Sequence, residues 1–84
     1  MSVELEALSV DALKDLGRVQ KVEGSNDMTR DELLHALDGP VDDALARHLG
    51  RSRKELYGEA EEAGIEGRMD MQKWELLEAL AERG

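Results

Sequence analysis

The chain has 84 residues and 9.3 kDa, enough for one small domain or two small units sharing a thin core. Asp and Glu number 20 against 11 Lys and Arg, for a formal net charge of -9, and there is no cysteine. This excludes disulfides, thiolate metal sites and a cysteine nucleophile; with one Tyr, one Trp and no Phe there is no base-stacking platform, and no apolar run reaches the ~20 residues of a membrane span.

The apolar spacing predicts helices throughout, with no stretch alternating long enough for a strand. Met1 to Ala7 carry Val3 and Leu5, which either dock or fray. Ser9 is a good N-cap, flanked by Leu8 and Leu13 at the spacing of a hydrophobic staple. The helix it opens runs to about Gln20, with Leu13, Leu16, Gly17 and Gln20 on one face. Val22 to Asp27 is a loop, because Gly, Ser, Asn and Asp favour turns, and Val22 plugs the core from it. Thr29 and Glu32 form a capping box for a second helix, whose buried stripe is Leu33, Leu34 and Leu37 and which ends at Gly39-Pro40. Pro40 to Gly50 suits a short connector helix, with Pro in its first turn and Gly just past its end.

Beyond the connector the pattern returns. Ser9 to Leu37 aligns without gaps onto Ser52 to Leu80, an offset of 43 residues. Val22 to Leu37 and Ile65 to Leu80 share nine of sixteen residues, where chance gives about one. Ser52 and Glu55 make another capping box, and Leu56, Ala60 and Ala63 an inner face. Ile65 is the second plug, and Leu76, Leu77 and Leu80 the second stripe after a weaker cap at Gln72. Gly17 matches Ala60, a small residue that lets helices cross closely. The expected architecture is all-α: a first unit over residues 1–39, a connector helix over 40–50 and a second unit over 51–84, about five helices in one body.

The second half, ELYGEAEEAGIEGRMDMQKWELLEAL, and its counterpart resemble the helix–extended-loop–helix module of the Rho termination factor N-terminal domain and the related SAP, HeH and LEM domains. The shared features are a Leu in the first helix, the Val/Ile plug, the loop Gly and a Met-x-Lys/Arg-x-Glu-Leu-Leu-x-Ala-Leu run. The resemblance implies association with DNA or RNA, through basic residues at helix starts and in the loop. By position these are Arg30 and Lys73, Arg53 and Lys54, and Arg68. Val10, Asp11 and Ser25 stand where the second half has Arg53, Lys54 and Arg68, so the second unit is expected to make most contacts.

Charge distribution sharpens two functional readings. Residues 1–46 carry a net -7 and residues 47–84 a net -2. The window Arg47 to Lys54, RHLGRSRK, holds four basic residues, Arg51 among them, and no acid, and it is either a phosphate site or a turn whose arginines pair with neighbouring carboxylates. Phosphate binding of this kind has little sequence preference. The rival is an acidic interaction or adaptor module that engages a basic protein or self-associates. Trp74, Leu16 and Val19 are its candidate contacts, because their counterparts are Asp31, Glu59 and Glu62. Trp74 has a packing reading too, as bulk between the halves. Glu59, Glu61, Glu62 and Glu66 are either a docking face or a solvated one.

His35 and His48 lack partners at metal-ligand spacing, and no Gly-rich phosphate loop or Ser/His/Asp context is present. The expectation is a non-enzymatic, cofactor-free, cytoplasmic protein without a membrane segment.

Overall fold

The computed structural model describes residues 2–83; the outer ends of the two expected units, Met1 and Gly84, lie outside the described residues. Five α-helices form in the order expected: α1 (Val10–Val19), α2 (Arg30–Ala36), α3 (Asp43–Ala46), α4 (Arg53–Glu62) and α5 (Lys73–Arg83). The all-α class holds, and the helices share one core, with a Cα radius of gyration of 12.4 Å.

The local chemistry of the caps explains the helix starts. Ser9 accepts from the Ala12 N–H, and Thr29 and Ser52 each complete a capping box with Glu32 and Glu55. The Thr29 backbone N–H and hydroxyl, bonded to the exposed Glu32 carboxylate, hold its pKa below the ordinary value. That cap is therefore present above the usual carboxylate range and is lost as pH falls through the lowered value. Gln72 supplies half a box, its backbone N–H donating to Glu75.

The two halves follow the same sequence of elements. α4 begins and ends 43 residues after α1, as do the one-turn 3-10 helices Ser25–Asp27 and Arg68–Asp70. Each 3-10 turn is entered through a glycine in the left-handed region, Gly24 at φ 72° and Gly67 at φ 76°. A side chain there would clash with its own backbone, which is why glycine recurs at this bend. Ile65 is buried as a plug, and Val22 is half-buried against the core. Leu13, Leu33, Leu56, Leu76 and Leu77 are fully buried, each worth about 1.5–3 kcal/mol of transfer free energy.

Four features differ from the sequence expectations. First, a short antiparallel ribbon forms, β1 (Ser2–Val3) with β2 (Val41–Asp42), pairing Ser2 with Asp42 and Val3 with Val41. Two-residue strands are too short to leave an alternating pattern. The N-terminal residues thus dock, and Leu5 is buried.

Second, the connector is helical only over Asp43–Ala46. The next bonds, His48 N–H to Leu45 and Leu49 N–H to Ala46, are one residue tighter, and they turn Leu49 into the core.

Third, Leu34 is half-buried against the core, whereas its counterpart Leu77 is fully buried. α5 packs on α4, α1 and α3, whereas α1 is the one helix packed substantially on α2.

Fourth, Gly17 is small because of a turn, not a helix crossing: a Cβ there would lie 2.5 Å from the Ser25 Cβ.

Gly17→Ala is therefore expected to cost about 1–3 kcal/mol by overpacking. Gly58, the counterpart of Asp15, is an exposed helical glycine with open space where a Cβ would go. Gly58→Ala is expected to stabilise by about 0.5–1 kcal/mol. Urea denaturation of the two variants checks both signs; equal effects would show that the two positions are not distinguished by packing.

Candidate functional site

The junction between the halves is built around Asp15, on the inner side of α1 and only 4% exposed. Its Oδ1 is 3.0 Å from the Lys73 Nζ at the start of α5, and its Oδ2 accepts from the Gly50 backbone N–H at 2.9 Å. One carboxylate thus ties the first half, the connector and the second half. A second clasp lies on α4, where Glu59 meets the Arg51 guanidinium at 2.9 Å and His48 Nδ1 at 3.2 Å.

Five of the six expected phosphate-binding cations are hydrogen-bonded or ion-paired within the chain, although Arg51 and Arg53 stay exposed. Arg30 donates to the carbonyls of Glu6 and Leu8, fastening the N-terminal segment to α2. Arg51 holds Glu59 and the Arg47 carbonyl. Arg53 donates to the Tyr57 hydroxyl and the Met71 carbonyl, joining α4 to the start of α5. Arg68 donates to the Ile65 carbonyl within its own turn, and Lys73 pairs with Asp15. Lys54 alone of the six is exposed with no ion pair or hydrogen bond of its side chain among the described residues. Arg47 lies 4.0 Å from Asp43. Within the RHLGRSRK window, then, Arg47 and Arg51 pair with carboxylates of the chain, whereas Arg53 and Lys54 do not.

The candidate partner contacts divide. Leu16 is 1% exposed and belongs to the core, which corrects its expected place on a contact surface. Val19 is half-buried against the same core. Trp74 is half-buried, its indole N–H donating to Gln72 and its ring lying 5.2 Å from the Lys21 ammonium. Lys21 occupies the left-handed region at φ 61°, where its counterpart is Gly64 at φ 70°. Trp74 thus touches the first half through Lys21.

Asp15 and Glu59 escape a motif search because the chain is rich in acids. A signal exists nonetheless: Ala12, Asp15, Leu16 and Val19 are at i, i+3, i+4 and i+7, so Asp15 interrupts a second apolar stripe on α1. Asp11, Lys14, Arg18, Arg51, Glu55 and Lys73 line an open groove beside this junction, and its mixed signs give no single-sign field. Among the described residues no group of three or more His, Cys, Asp or Glu is placed to hold a metal, and no helix is long and apolar enough to cross a membrane. No protein-family model, characterised protein or solved structure matches the chain.

Removing the Asp15 carboxylate would leave the Lys73 ammonium, whose side chain is only 22% exposed, without its counter-charge and the Gly50 N–H without its acceptor. Asp15→Ala is expected to cost about 2–4 kcal/mol. Glu59→Ala, at a more exposed pair, is expected to cost no more than about 1 kcal/mol. Thermal unfolding of both variants, with the Asp15/Lys73 double-mutant cycle, measures the difference; a negligible coupling energy would remove Asp15 from its place at the junction.

Proposed function

We propose that the chain is a non-enzymatic protein-interaction module that engages a basic partner through its carboxylate surface. The observation that carries this reading is the opposite fate of the two charge signs. Five of the six expected phosphate-binding cations hold carbonyl, hydroxyl or carboxylate oxygens of the chain itself. Most carboxylates stay exposed, Glu4, Asp31, Asp38, Glu61, Glu62 and Glu66 among them. A net charge of -9 steers cationic surfaces inward and repels polyphosphates. In this reading the architecture is a duplicated helix–extended-loop–helix module of the SAP-like and Rho N-terminal kind, adapted to a protein partner.

A second reading, phosphate binding by the second half, is favoured by Arg53 and Lys54. Both are exposed at the start of α4, and neither forms an ion pair with a carboxylate among the described residues. Low sequence preference and steep salt dependence are its signature.

Fluorescence anisotropy at low salt separates the two. A labelled Lys/Arg-rich peptide, a duplex DNA and a single-stranded RNA are each titrated with the protein. The expected result is micromolar peptide binding and none with either nucleic acid. Tighter binding of DNA or RNA, abolished by Arg53→Ala/Lys54→Ala, would replace the protein-partner reading with the phosphate one; no binding by any probe would overturn both.

A further inference from the structure

We infer that Met69 is a selective oxidation site of this chain, taking one oxygen atom from hydrogen peroxide without loss of the fold. The inference goes beyond the interaction readings above and does not depend on which partner binds. The sequence has four methionines, of which Met28, Met69 and Met71 lie among the described residues. Met28 and Met71 stand at matched positions, each just before the residue that caps a helix, and both are half-buried against the core. Met69 stands on the 3-10 turn Arg68–Asp70 and is 77% exposed, the most open of the large apolar side chains described. Two positions along the chain thus separate a methionine packed on the core from one open to solvent.

A thioether carries no proton to lose and needs no neighbouring base, so its oxidation follows access of the oxidant. Hydrogen peroxide is uncharged and is not repelled by a net charge of -9. The Met69 sulfur gives an electron pair to one peroxide oxygen. The S–O bond forms, the O–O bond breaks, and the second oxygen leaves as water with both protons. Sulfur is oxidised by two electrons to the sulfoxide, and the peroxide is reduced. A thiol-dependent reductase reverses the step, releasing the oxygen as water and leaving its own thiols as a disulfide. Two observations explain why the fold survives. The turn is held through its backbone: the Tyr57 hydroxyl donates to the Met69 carbonyl at 3.3 Å, the Asp70 N–H to the Gly67 carbonyl at 3.0 Å, and the Arg53 guanidinium to the Met71 carbonyl at 2.9 Å. None of these bonds uses the Met69 side chain. The matched residue in the first half is Asn26, exposed on the equivalent turn Ser25–Asp27, so this place in the module already accepts a polar side chain. At Met28 or Met71 the same oxygen would set a polar group against the core.

The full chain is treated with hydrogen peroxide, quenched at intervals and digested on the N-terminal side of aspartate. Cleavage before Asp27, Asp31 and Asp70 puts Met28, Met69 and Met71 in three different peptides, so mass spectrometry reads each rate separately. Met69 is expected to oxidise at least about twofold faster than either of the others. Chain oxidised at Met69 alone is expected to keep its circular dichroism and its thermal midpoint. Met69→Leu is expected to remove the fast product and leave the rates of Met28 and Met71 unchanged. In concentrated urea the three rates are expected to converge. Equal rates in the folded chain, a preference for Met28 or Met71, or unfolding on oxidation of Met69 alone would each overturn the assignment. So would a Met69 preference that persists in urea, because sequence context and not the exposed turn would then be its cause.

Discussion

A carboxylate removed from water must be met by a cation and by hydrogen-bond donors, or it is strongly destabilising. Asp15 is met by both, and neither comes from its own helix: Lys73 belongs to α5 and the Gly50 N–H to the connector. The three segments can satisfy this group only in one relative placement. The apolar core of the chain, which includes Ala12, Leu16, Leu49 and Leu77, supplies most of the burial. They are far less particular about geometry than an ion pair whose acceptor has two fixed oxygens. We read the node as the element that selects one arrangement among the several an apolar stripe would permit.

The halves share a skeleton and differ in which sides they finish. α1 buries Ala12, Leu13, Asp15, Leu16 and Gly17, whereas α4 buries only Leu56 and Ala60. The added residues on α1 are those that turn towards the rest of the molecule, and their counterparts on α4 include Glu55 and Glu59. Stacked units with one apolar side too many would continue into an open chain of copies; charged outer sides end the series. The same logic leaves α2 less covered than α5. A closed pair of units, charged on its outer sides, follows from a handful of substitutions between otherwise matching segments.

The basic window is where local and global readings part. Four cations in eight residues, beside a helix start, satisfy every local rule for holding phosphate. In the folded chain Arg51 and His48 reach Glu59, eight and eleven residues away, and fasten the connector to α4. Coulomb attraction within a dense acidic protein is the simplest cause: each cation has carboxylates within reach long before a partner arrives. The carboxylates outnumber the cations, so the surplus that faces solvent is negative.

Much of this was legible in the order of residues. Helix starts at Ser9, Thr29 and Ser52, the bends at Gly24 and Gly67 and the leucines of the core follow from interactions among residues a few positions apart, which a linear pattern records. The all-α class and the matching halves follow from the same local rules. What the fold alone decided depends on groups distant along the chain. Pairing of Val3 with Val41, the path of the connector, full burial of Leu16, and the pairing of Arg30, Arg51 and Lys73 with oxygens of the chain are of this kind. A charged side chain looks the same in sequence whether it faces water or a buried acid; only packing settles which, because its free energy depends on what the rest of the chain places beside it.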